Sequence, residues 1–103
     1  MPKAHFVVRA VVAEPLRQKF DHWYSTDHLP RALKDFKAEK GWRYWSTADA
    51  GVHYAMYQFA DPAKLEAAMK STEFKALVAD FDRNFPTVAR TRDLLTLAEE
   101  LNA

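Results

Sequence analysis

Residues 4 to 12, AHFVVRAVV, put a wholly apolar face and a mixed face into one short run. Side chains alternate along a strand, so Phe6, Val8, Ala10 and Val12 share one side while His5, Val7, Arg9 and Val11 share the other. The run is rich in β-branched residues and too short for a helix. A strand of this kind belongs to a sheet that is covered on one side only.

The segments that follow supply the cover. Glu14-Pro15 opens a helix, with proline at the first helical position where its missing N–H costs nothing. Leu16, Phe20 and the pair Trp23-Tyr24 recur at helical spacing. Pro30 cannot continue that helix quietly, because its ring clashes with the preceding turn. The spacing therefore predicts a break, with Ser25, Thr26 and Asp27 capping a second short helix striped by Leu29, Leu33 and Phe36. His28 falls at the break.

Further on, GWRYWSTA and VHYAMYQFA read as second and third strands around a turn at Ala50-Gly51. Asp61-Pro62 starts a helical KLEAAMK. Ser71 caps another run in which Phe74, Leu77, Val78, Phe81 and Phe85 form one stripe, and Pro86 ends it. VARTRDLLTL completes the set as a fourth strand. The order β-α-β-β-α-β, without repeat or linker, predicts one domain over residues 1–103. Its class is α+β, a ferredoxin-like sandwich of four antiparallel strands with helices on one side. The other face of such a sheet would hold rings and arginines with nothing from its own chain over them. A dimer packed sheet to sheet is the simplest cover.

Bulk properties narrow the function. A chain of 103 residues, 49% hydrophobic and 28% charged, is an ordinary globular domain. A formal net charge of +1 gives no general electrostatic case for nucleic acid or an anionic membrane. With no cysteine, thiol nucleophiles and zinc-cysteine sites are excluded. The N-terminus reads as a first strand rather than a signal peptide, and no run approaches a membrane span, so a cytoplasmic protein is expected.

On the residues Phe20, Tyr24, His28 and Pro30 the chain resembles the dimeric α/β-barrel superfamily, and within it the EthD-like branch. Those sequences carry a phenylalanine, an aromatic four residues on, a histidine four later and a following proline. Here the aromatic pair is Trp23-Tyr24, where the EthD-like order is tyrosine then tryptophan. YAMYQFADPAKLEAAM and STEFKALVADF also look like members of the superfamily. The resemblance implies a homodimer whose two sheets close a β-barrel, each subunit keeping a pocket between its helices and its sheet. It spans monooxygenases without cofactors, polyketide cyclases, lactone isomerases, haem-handling proteins and proteins without known activity.

Within that frame His28 is a candidate general acid or base, since an ordinary histidine titrates near neutral pH. The plainer reading is that it fixes the turn before Pro30. Tyr24 and Tyr44 are candidates to donate hydrogen bonds to an enolate, and Trp23 to position a substrate. His5 and Arg9, on the mixed face of the first strand, are candidates for substrate binding or for the dimer seam. Arg9 with Arg90 and Arg92 forms a cluster that would either pair with carboxylates across the dimer or hold an anionic ligand. His22, about 240° around an ideal helix from His28, belongs to the surface. His53 starts the third strand beside a turn and is expected to be exposed. No metal-binding spacing occurs, and no cofactor is called for; haem is a subcase with His5 or His28 as axial ligand.

Two classes of function follow. One is a small-molecule enzyme, a cofactor-free monooxygenase, cyclase or isomerase acting on an aromatic, lactone or carbonyl compound. The other is a non-catalytic dimeric ligand-binding or accessory protein. An RNA-binding reading of HYAMYQF fails on the missing Gly-aromatic pattern and the near-neutral charge.

Overall fold

The structure is a computed structural model and describes residues 2–103. Four strands form its sheet: β1 (Ala4–Val11), β2 (Lys40–Trp45), β3 (Val52–Phe59) and β4 (Ala89–Thr96). They lie in the order β2-β3-β1-β4, every neighbouring pair antiparallel. Between them run α1 (Arg17–Trp23), α2 (Leu29–Phe36), α3 (Pro62–Met69) and α4 (Thr72–Asn84). This is the expected ferredoxin-like α+β sandwich.

Register decides which residues meet the helices. Phe6 pairs with Tyr57 on one side and Leu94 on the other, Val8 with Ala55 and Arg92, Ala10 with His53 and Arg90. Directly opposed residues share a face, so these rows point together toward the helices. Phe6, Val8, Ala10, Ala55, Tyr57 and Phe59 are accordingly buried, and they join Phe20, Tyr24, Phe36, Leu77, Phe81 and Phe85 in one core. The opposite face carries His5, Val7 and Arg9 of β1, Tyr54 and Met56 of β3, and Trp42 and Tyr44 of β2.

The caps follow from the sequence. Asp61 accepts from the Lys64 backbone N–H at 2.9 Å to start α3, and Ser71 accepts from that of Phe74 at 3.1 Å to start α4. At the turn before β3, Gly51 has φ +84°, and a Cβ there would stand 2.5 Å from the Val12 carbonyl oxygen. Only glycine fits that backbone without strain.

The expected break between α1 and α2 is absent. Residues Tyr24–His28 form a wide π-turn, and the chain stays helical through it. The Leu29 N–H reaches back five residues to the Tyr24 carbonyl. Ser25, Thr26 and Asp27 cap nothing, and Thr26 Oγ1 instead donates to the His22 carbonyl at 2.8 Å. Widening the turn is a recognised way to carry a proline, because it eases the clash with the preceding turn. It also adjusts phase. Phe20, Tyr24, His28, Ala32 and Phe36 are spaced by four, and all five are buried. In an unbroken α-helix such a series drifts about 40° per step, about 160° in all. The wide turn slows the winding midway and keeps both ends facing the core.

Candidate active site

Between the helices and the sheet lies a cleft with both apolar walls and polar groups. Phe6 and Val8 of β1 and Tyr57 of β3 come from the sheet, Phe36, Leu77 and Phe81 from the helices, and Phe74 also borders it. Its other polar members are Tyr24, His28, Arg90 and Arg92. The cleft has about 350 Å³ of free space out to its mouth, of which only about 30 Å³ admits the centre of a water molecule. An aromatic ring enters only if a lining side chain turns aside.

The π-turn seats His28 in this wall. Its ring stacks on Trp23 with centroids 4.5 Å apart and meets Tyr24 edge-on at 4.8 Å. Only 7% of His28 is exposed, and its Nδ1 is buried without a hydrogen-bond partner. Burial pushes its pKa from 6.5 down to about 4; Asp80 opposes the change, and Arg31 adds to it. The imidazole is thus neutral at pH 7 and keeps a lone pair for a proton.

Two phenols sit in the same wall. Burial pushes Tyr24 up to about 12 and Tyr57 well above its ordinary value, so both keep their protons. Their hydroxyls are close enough to influence each other's ionisation, yet the geometry falls short of a full hydrogen bond, and Tyr57 Oη has no partner. Buried polar atoms are nearly always paired in native proteins. Here two unpaired ones, His28 Nδ1 and Tyr57 Oη, belong to residues lining one cleft.

The surroundings are braced by ion pairs. Buried Asp80 accepts from Arg31 Nη1 at 3.1 Å and also from Arg83, while Arg31 reaches Asp27 at 3.0 Å. This ties α2 to α4 beside His28. On the other side, His53 is 1% exposed, contrary to the expectation that it lies on the surface. It shares the inward row with Ala55, Tyr57 and Phe59, and strand parity outweighs its closeness to the turn. Arg43 Nε donates to His53 Nε2 at 3.1 Å, which leaves the ring proton on Nδ1. Asp21 holds that arginine at 2.7 Å and accepts from Trp45 Nε1 at 2.8 Å. Burial, then Arg43, pushes His53 down to about 4.

The residues singled out in the sequence divide between the two faces of the sheet. His28 and Tyr24 line the cleft, and Trp23 stands behind His28, packed on Phe81 and Phe85. His5, Arg9 and Tyr44 lie across the sheet from it. There His5 Nε2 is 3.3 Å from Gln58 Oε1, and Arg9 borders a hollow with about 390 Å³ of free space, which Tyr54, Arg92 and Asp93 also line. Tyr44 is 50% exposed. The arginine cluster is therefore corrected: Arg90 and Arg92 face the helices, whereas Arg9 pairs with Thr91 on the opposite face. Tyr57 and the Arg43–His53 contact were not singled out as site residues. A tyrosine in an otherwise apolar strand row, whose hydroxyl needs a partner, was the available signal. Among the described residues no group of three or more His, Cys, Asp or Glu side chains could hold a metal ion, and no helix is long and apolar enough to cross a membrane.

No family model matches the sequence, and no curated protein matches it either. Solved structures do. SnoaB, a cofactor-independent oxygenase from Streptomyces nogalater, superposes with a TM-score of 0.70 at 13% identity over 100% of both chains. A protein of unknown function from Nitrosomonas europaea gives 0.71 at 18% identity, covering 100% of this chain and 97% of that one. An ethyl tert-butyl ether d (EthD) family protein from Bacillus halodurans gives 0.66 at 17% identity, covering 95% and 99%. The resemblance read from Phe20, Tyr24, His28 and Pro30 thus meets its counterpart in three dimensions: the chain shares its fold with an EthD family protein and with a cofactor-independent oxygenase.

Proposed function

We infer that this protein is a small-molecule enzyme that removes a proton from an aromatic or carbonyl compound bound between helices and sheet. The observation that carries the reading is the pair of unpartnered buried polar atoms, His28 Nδ1 and Tyr57 Oη, in residues lining one largely apolar cleft. A ligand oxygen placed there would accept from the Tyr57 hydroxyl, while the ligand's acidic C–H faced the lone pair of His28 Nδ1. In this reading neutral His28 takes the proton, the electron pair moves onto the ligand oxygen as an enolate, and the Tyr24 and Tyr57 hydroxyls stabilise it by hydrogen bonding. The same intermediate leads to oxygenation, cyclisation or isomerisation, according to what it meets next. SnoaB, with the same fold, is a cofactor-independent oxygenase and supports the first branch.

Deuterium wash-in at the α-carbon of α-tetralone and related aromatic ketones, followed by NMR in D₂O, tests the chemistry. Wild-type protein is expected to accelerate exchange, and His28→Gln to lose about 10²–10⁴-fold of that acceleration. Equal rates for the two proteins would remove His28 from the role. The narrowness of the cleft favours a second reading, a ligand-binding or accessory protein. Ketones that shift the His28 resonances without any exchange would establish it.

The open sheet face, with Trp42, Tyr44, Tyr54 and Met56, is in our reading closed by a second copy of the chain. Native mass spectrometry is expected to show a dimer. A strict monomer at micromolar concentration would refute that part.

A further inference from the structure

Two arginines line the cleft and no acidic residue does, but the two differ. The charge of Arg90 is already met: Nη1 lies 2.8 Å from Asp82 Oδ1, and the guanidinium sits 3.9 Å over the Phe81 ring. Arg92, two residues on and on the same face, has no carboxylate within ion-pair distance among the described residues. Its guanidinium carbon lies 5.2 Å from the centre of the Phe74 ring. It is an exposed residue, so its position is at the mouth rather than in the depth where His28 and Tyr57 lie.

We propose that the ligand is an organic anion, an aromatic or cyclic carboxylate, whose acid group binds Arg92 at the mouth while its ring enters between Phe6, Phe74 and Phe81. This rests on the reading of the cleft as a ligand site and adds the substrate class. A guanidinium matches a carboxylate in two parallel hydrogen bonds, and the phenyl rings behind it offer apolar contact to the ring of the ligand. A neutral His28 and two protonated tyrosines oppose an incoming anion with no charge of their own. Arg92 would set specificity and orientation, without taking part in proton transfer.

The test compares benzoate with the neutral isostere benzamide, titrated into full-length protein while the resonances of His28, Tyr57 and the arginine Nε–H groups are followed by NMR. Benzoate is expected to bind roughly tenfold or more tightly than benzamide. Arg92→Gln should erase that preference, Arg92→Lys should keep part of it, and Lys75→Gln on the exposed side of α4 should leave it intact. If both probes shift His28 and Tyr57 with equal affinity, or if Arg92→Gln keeps the preference, the anion inference is overturned and the cleft remains a ligand site. If neither probe moves His28 or Tyr57 at about 10 mM, well beyond useful affinity, both readings fall.

Discussion

Between pH 7 and pH 4 the protein is expected to lose on the order of 6 kcal/mol of stability, about 3 kcal/mol from each of two buried histidines. His28 and His53 both fall from 6.5 to about 4 in the folded chain, chiefly through burial. The unfolded chain then binds more protons across that interval, so stability is complete above about pH 6.5 and drains away as pH falls toward 4. Asp80 and Asp27 temper the effect at His28, whereas Arg31 and Arg90 reinforce it; Arg43 reinforces it at His53, and Asp21 opposes it there. Asp21, Glu39 and Glu66 are also held below their ordinary values by hydrogen bonds, from Trp45, Lys3 and Lys70 respectively. Their effect has the same sign, but they are surface groups and weigh little. Since a small domain is stable by only about 5–15 kcal/mol, acid unfolding should set in near pH 5. Urea denaturation at pH 7.5, 5.5 and 4.5 measures it. A flat urea midpoint across that series would show that these rings are hydrated in solution.

Replacing Phe20 with alanine is expected to cost about 3–5 kcal/mol, as for other fully buried aromatic truncations. Phe20 is 0% exposed, and its ring lies within 5.1 to 6.3 Å of those of Trp23, Tyr24, Trp45, His53, Phe81 and Phe85. It joins α1 to β2, β3 and α4 at one point. No single neighbour can move in to fill the space, because each is fixed by the others. Leucine, which keeps most of the volume, should cost about 1–2 kcal/mol. Thermal and urea unfolding of the two variants separate the cases. A loss below about 1 kcal/mol for Phe20→Ala would mean the cluster repacks, contrary to the close packing described.

The elements were legible because their signals are local. Alternation gave β1 and β3, proline after Asp61 gave α3, and Ser71 gave the start of α4. The phase of the long helix was not legible. Pro30 with three cap-forming residues before it is the pattern of a break, and nothing short of tertiary packing shows that a wide turn absorbs the proline instead. Which arginines meet was hidden for a different reason: strand parity relates residues within one strand, but relating Arg9 to Arg90 requires the pairing register between strands. His53 shows the converse, since its parity with Ala55 and Tyr57 was available and pointed inward. The unpaired state of Tyr57 Oη depends on every neighbour at once and has no local signature.

The wide turn at residues 24–28 has a genetic consequence. A helix that carries one residue more than its regular winding can be restored by a single-codon deletion, and the result would still be a helix of good composition. What it could not keep is both halves in phase. Either Phe20 and Tyr24 or Ala32 and Phe36 would swing out of the core, and His28 would leave the cleft with them. Along this stretch, then, substitutions should be tolerated far more readily than changes of length, and lineages that drift in sequence here should still agree on the number of residues.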